Sequence, residues 1–131
     1  MNILKFRSDE ELNEAGASII TGLVQTNPKA VLGLATGGTP VGIYRRIVET
    51  YRKGMVSFKS VTTFNLDEYV GIPKDHPESY HSYMKRHLFD HVDLQPENTH
   101  IPDGNAPDLE AECARYDRLL EKAGRIDLQL L

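Results

Sequence analysis

The chain has 131 residues, 40% of them hydrophobic, with 15 Lys and Arg against 19 Asp and Glu for a net charge of −4. That is the size of one globular domain, large enough to bury a core unaided, and its acidic balance gives no nucleic acid or anionic membrane a surface to hold. No apolar run approaches the ~20 residues of a spanning helix, Met1–Asp9 lacks an apolar signal core, and the lone Cys113 admits no internal disulfide, which together fit a cytoplasmic setting.

Asn2-Ile3-Leu4-Lys5-Phe6 is compatible with a short first strand. Ser8-Asp9-Glu10-Glu11 then reads as a capping box, Ser8 accepting from the third helical amide and Glu11 reaching back. Leu12, Ala15, Ile19, Ile20, Leu23 and Val24 recur at helical spacing, which predicts a helix to about Gln25, stopped by Asn27-Pro28. Ala30–Ala35 is a nearly continuous apolar run, as in a strand buried on both faces. Thr36-Gly37-Gly38-Thr39-Pro40 breaks it, with Thr39 suited to cap the next helix and Pro40 to its first position. Val41, Tyr44, Ile47, Val48 and Tyr51 mark that helix, and Gly54 ends it.

Val61–Leu66 reads as a second buried strand, ending in Asp67-Glu68-Tyr69 and a Gly/Pro-rich loop through Pro77. A third helix is predicted from near Ser79 to about His91, with Tyr80, Tyr83, Met84, Leu88 and Phe89 on its apolar side. Pro96–Pro107 is a loop with a short extended piece at Thr99–Ile101. Asp108 caps a fourth helix carrying Leu109, Cys113, Tyr116, Leu119 and Leu120 to Gly124, and Ile126–Leu131 is a last apolar strand. Alternating strands and helices of 10–15 residues specify an α/β fold. It is a doubly wound, mainly parallel sheet with helices on both faces, Rossmann-like and stopping after a strand, with residues 1–131 in one domain.

Ligands of such sheets sit beyond the carboxyl ends of the strands. Two loops lie there. In Thr36-Gly37-Gly38-Thr39 the glycines admit an anion close to the backbone, the threonines add hydroxyls, and the following helix adds free N–H groups and the positive end of its dipole. The Gly-Lys-Ser/Thr ending of a nucleotide loop is missing, so a single sugar phosphate suits it better; equally, the turn could be a tight strand-to-helix connection that binds nothing. At the second strand end, Asp67 and Glu68 crowd two carboxylates together, which raises at least one pKa and suits a proton transfer at carbon beside a carbonyl. The alternative is a polar strand end whose acids cap the next turn.

The histidines do not form a metal motif. His87 and His91 are four apart on a helix, but position 88 is Leu, and His76, His81 and His100 are scattered. Cys113 falls among core-spaced positions, so packing explains it better than nucleophilic chemistry.

The run Leu32-Gly33-Leu34-Ala35-Thr36-Gly37-Gly38-Thr39-Pro40, with Gly42 and Tyr44, resembles the phosphate loop of glucosamine-6-phosphate deaminases. Thr63-Phe64-Asn65-Leu66-Asp67-Glu68-Tyr69-Val70-Gly71 resembles that family's catalytic strand end. Pro77-Glu78-Ser79-Tyr80, Asp103-Gly104-Asn105-Ala106, Glu110-Ala111-Glu112-Cys113 and Tyr116 extend the likeness along the chain. The resemblance implies conversion of glucosamine 6-phosphate and water to fructose 6-phosphate and ammonium. Asp67 would move a proton between C2 and C1 through an enediol-like intermediate, and Thr36, Gly37, Gly38 and Thr39 would hold the 6-phosphate. Glu68 would stand beside the substrate as an orienting carboxylate. No metal or organic cofactor is implied; the partner is a small sugar phosphate, and a homo-oligomer is compatible with the full-length protein.

After a segment like Asp127-Leu128-Gln129-Leu130-Leu131, that family continues into a glycine-rich loop whose Asp, His and Glu open the sugar ring, and into basic phosphate ligands. The resemblance therefore implies an N-terminal portion that does not deaminate alone. A related 6-phosphogluconolactonase would carry Arg after the acidic pair, where this chain has Tyr69-Val70-Gly71. A sugar-phosphate-sensing regulator of similar fold would carry a DNA-reading helix, and no basic recognition helix is present.

Overall fold

The computed structural model describes residues 1–131. Helix α1 (Asp9–Thr26) opens on Ser8, whose hydroxyl accepts the Glu11 amide at 3.2 Å. Glu11 reaches back as expected, but to the Arg7 N–H at 2.9 Å, one residue before the cap. Strand β1 (Val31–Leu34) leads to α2 (Val41–Arg52), β2 (Thr62–Asn65) to α3 (Tyr80–His87), β3 (Thr99–His100) to α4 (Leu109–Ala123), and β4 (Leu128–Gln129) follows. The strands pair in the order β3-β2-β1-β4, all parallel, with Leu34 opposite Asn65 and Gly33 opposite both Phe64 and Gln129. Parallel neighbours joined by right-handed crossovers put α2 and α3 on one face; the return from β3 to β4 puts α4 on the other.

The packing agrees with that division. Ile20 and Val24 of α1, Tyr44 and Ile47 of α2, and Met84 of α3 bury themselves with Leu32 and Leu34 in one core cluster of 17 residues. At roughly 1.5–3 kcal/mol per fully buried large side chain, this face supplies most of the fold's hydrophobic driving force. Phe64 faces the other way, stacked on His100 at 4.7 Å and edge-on to Tyr116 of α4 at 5.9 Å. The Tyr116 hydroxyl donates to the carbonyls of Asn65 (2.6 Å) and His100 (3.0 Å), so α4 grips the ends of β2 and β3 with one side chain.

Four sequence expectations need correction. Residues 2–6 form no strand: Ile3 and Leu4 are 70% and 68% exposed, because β-propensity makes no strand without a partner ladder. Thr39 does not cap α2; Pro40 occupies the cap position with helical angles, and no side chain caps that end. The third helix stops at His87 rather than His91. Leu88 turns out of helical geometry (φ −141°, ψ −58°), and Phe89–His91 is a single 3₁₀ turn tied by the His91 ring to the Arg86 carbonyl at 2.8 Å. Finally, Cys113 is exposed, not packed. Tyr116 is the sole buried residue of α4, and the flank bearing Cys113 borders an open depression with Leu66, Val70 and Leu109.

Candidate functional site

Pairing of Leu34 with Asn65 brings the two chemistry-bearing turns out of the same rim of the sheet, on adjacent strands. Neighbouring strands run about 4.8 Å apart, so the turns start within side-chain reach of each other. The Asn65 amide group, 1% exposed, donates to the Leu34 carbonyl at 3.3 Å and ties the strand ends together.

The Thr36–Thr39 turn is a bare row of donors. Gly37 takes φ +97°, which only glycine adopts without strain. The backbone amides of Thr36, Gly37, Gly38, Thr39, Val41, Gly42 and Ile43 donate to no group in the protein; Ala35 and Tyr44 are the first on either side that do. Gly37, Gly38 and Thr39 are exposed, and a Cβ built on Gly38 would meet nothing within 4 Å. The missing Thr39 cap matters here, because it leaves the amide row and the α2 dipole free for an external anion.

At the β2 end, the two carboxylates part company. Asp67 is exposed. Glu68 has a side chain only 3% exposed, and its oxygens are fully engaged. One accepts the Tyr69 and Tyr80 amides (both 2.9 Å); the other accepts the His81 amide (3.1 Å) and faces the His81 ring nitrogen at 2.7 Å. Burial pushes this carboxyl up, but the Tyr80 amide, the His81 ring and the other two amides outweigh it and hold the pKa below the ordinary carboxylate value. The expectation that crowding raises a pKa in this pair is therefore reversed for Glu68: donors from the first turn of α3, not a like charge, dominate its surroundings. Its oxygens hold the Tyr69 amide and seat the first turn of α3.

Helix α3 brings in Tyr80 and Tyr83, which the helical spacing placed on its apolar side, and with them Arg86. A cleft of about 330 Å³ is lined by Thr36 and Gly37 from the first turn and by Tyr69, Pro77, Glu78, Tyr80, Tyr83 and Arg86. The Tyr69 and Tyr80 rings lie 4.8 Å apart. The Tyr80 phenol is pushed up by the Tyr69 hydroxyl first and by partial burial; Thr36 works against this and the Asp67 charge adds to it. Tyr80 lines this cleft beside Thr36 and Gly37. Asp67 itself lines the neighbouring depression of about 340 Å³, together with Glu68, Pro102 and Gly104. Arg86 is the one cationic side chain lining this cleft. The signal for it was present, since Tyr80, Tyr83 and Arg86 recur every three residues along one helix.

The loop at 102–105 is packed underneath. Gly104 accepts the Gly71 amide at 3.0 Å, and the Asp103 amide donates to Glu112 at 2.8 Å. Glu112 is itself clasped by Arg115 at 2.6 Å, which with the Asp103 amide overcomes its burial and lowers its pKa to about 2. No three His, Cys, Asp or Glu side chains converge as a metal-holding set: His81 sits on Glu68, His91 on the Arg86 carbonyl and His100 on Phe64. No helix is long and apolar enough to cross a membrane.

The family model for glucosamine-6-phosphate isomerases/6-phosphogluconolactonase matches residues 8–131. Over all 131 residues the chain is 50% identical to a glucosamine-6-phosphate deaminase of Bacillus pumilus strain SAFR-032, covering 54% of that protein. It is 49% identical over the same span to glucosamine-6-phosphate deaminase 2 of Bacillus subtilis strain 168, covering 53%. The solved structure of a monomeric glucosamine-6-phosphate deaminase superposes with a TM-score of 0.97 at 46% identity, covering all of this chain and 54% of that one. A 6-phosphogluconolactonase from Thermotoga maritima superposes with a TM-score of 0.72 at 21% identity over 93% of this chain and 53% of its own, a likeness of fold. The chain spans about half the length of the curated relatives it matches.

Proposed function

Since the chain belongs to the family of glucosamine-6-phosphate isomerases and 6-phosphogluconolactonases, we propose that it carries the phosphate loop and the proton-transfer base of a glucosamine-6-phosphate deaminase. The overall reaction is glucosamine 6-phosphate plus water to fructose 6-phosphate plus ammonium. The observation that carries this reading is one of placement. A row of unpaired amides at the end of β1 and an exposed carboxylate, Asp67, at the end of β2 leave the same rim, with Tyr80 lining the cleft beside the first.

In this reading the amides from Thr36 to Ile43, the Thr36 and Thr39 hydroxyls and the α2 dipole hold the 6-phosphate. A held phosphate fixes the far end of an open-chain sugar, and orientation of this kind can be worth several kcal/mol of barrier. Asp67 then takes the proton from C2 and returns it at C1, leaving an imine at C2; water adds at C2, the C2–N bond breaks, and the amine leaves as ammonium to give the ketose. Glu68 contributes by fixing the first turn of α3, which carries Tyr80, Tyr83 and Arg86 to the cleft. The ring-opening Asp, His and Glu implied by the resemblance have no match among these residues. The 131 residues alone are therefore expected to bind sugar phosphates without releasing ammonium.

The test is solvent exchange at C2 of the sugar phosphate in heavy water, followed by NMR in a chain of the relatives' full length. Asp67→Asn should abolish exchange while leaving the dissociation constant within about threefold. Exchange at the unsubstituted rate would remove Asp67 from the reaction.

A further inference from the structure

Two tyrosine hydroxyls from different helices hold the backbone of the glycine turn. Tyr44 of α2, fully buried, donates to the Ala35 carbonyl at 2.5 Å and accepts the Ala35 amide at 3.1 Å. Tyr83 of α3 donates to the Gly37 carbonyl at 2.6 Å across 46 residues of chain. Every peptide bond in the chain is trans. In a trans peptide the C=O and the following N–H point in opposite directions within one plane. A hydroxyl that pins the Ala35 carbonyl therefore aims the Thr36 N–H away from Tyr44, and one that pins the Gly37 carbonyl aims the Gly38 N–H away from Tyr83. Without such anchors the two glycines would leave these peptide planes free to turn. Burial raises the pKa of both phenols, so both remain protonated donors across the physiological range.

We propose that Tyr83 is a positioning residue for the phosphate loop: by holding the Gly37 carbonyl it fixes the direction of the Gly38 amide, as Tyr44 does for Thr36. The inference rests on the reading of this turn as the phosphate cradle. Tyr83 touches no reacting atom; it acts through the loop. It also couples α3 to the site, because the same helix is seated at its start by Glu68.

The experiment compares Tyr83→Phe with the unsubstituted protein at the relatives' full length. The substitution keeps the ring and removes one hydroxyl. Backbone ¹⁵N relaxation without ligand reads the clamp directly: the order parameter of the Gly38 amide should fall from a rigid value of about 0.85 to below about 0.6, while amide hydrogen exchange shows the α2 and β2 amides still protected. For turnover, KM for glucosamine 6-phosphate and the inhibition constant of inorganic phosphate should both rise about three- to tenfold, with kcat within about twofold. An unchanged Gly38 order parameter, or a fall in kcat at constant KM, overturns the proposal. If the Gly38 order parameter falls but inorganic phosphate does not compete even with the unsubstituted protein, the phosphate reading of the turn fails while the clamp stands. Should Tyr83→Phe lose protection throughout, the hydroxyl is a general stability contact and the proposal is likewise overturned.

Discussion

Replacing Glu68 by Gln tests whether a buried carboxylate seats the helix that completes the cleft. The exchange is nearly isosteric but turns one oxygen into an NH₂ donor. With the NH₂ toward the Tyr69 and Tyr80 amides, both face another donor; with it toward His81, the His81 amide does, while the ring can accept through Nδ1. Hydrogen bonds to a charged group are worth about 1.5–3 kcal/mol each and neutral ones about 0.5–1.5, so losing at least one outright and the charge assistance of the rest costs about 3 kcal/mol. With a urea dependence of about 1.5 kcal/mol per molar, the denaturation midpoint should fall by about 2 M. The effect should also depend on pH. The folded pKa of Glu68 lies below the ordinary carboxylate value of about 4.5. Its contribution is therefore complete above about pH 4.5 and is lost as pH falls through the folded value. The gap between the two proteins should narrow on acidification below about pH 4, since Gln has nothing to titrate. A loss under about 1 kcal/mol at neutral pH, or a gap that does not narrow in acid, would refute the argument that the carboxylate's charge holds α3.

Gly38→Val should change stability by less than about 0.5 kcal/mol, since the added atoms point into open space. It should nevertheless weaken sugar-phosphate binding at least about tenfold in calorimetry while sparing unphosphorylated glucosamine; an equal loss for both ligands would point to misfolding. Gly104→Ala should be far costlier, because its Cβ would sit 1.9 Å from the Tyr69 carbonyl oxygen, a backbone atom. A destabilisation of about 2–4 kcal/mol is expected, with faster amide exchange at Gly71, whose N–H is bonded to Gly104. Wild-type stability in that variant would show that the loop yields more easily than its packing suggests.

The order of elements, the parallel sheet and the two strand-end turns were legible in the sequence because each rests on local chemistry. Continuous apolar runs become central strands, Ser8, Ser79 and Asp108 cap helices through their own side chains, and Gly54 and Gly124 end them at positive φ. The glycine turn and Asp67 could likewise be singled out from neighbours in the chain, and the strand-helix alternation placed both on one rim. Contacts between distant segments could not be read this way. No local signal tells that the crowded acids diverge, Glu68 turning inward to amides 12 and 13 residues away while Asp67 stays in solvent. None shows that Tyr83 reaches back 46 residues to the Gly37 carbonyl, or that Cys113, at a core-like spacing, faces an open depression. Residues 2–6 failed as a strand for the same reason, since a β-strand is satisfied only by a partner's backbone. Backbone propensity and capping act over a few residues and are written in sequence order. Which donor meets which carboxylate depends on how the helices lie against the sheet, and only the tertiary packing fixes that.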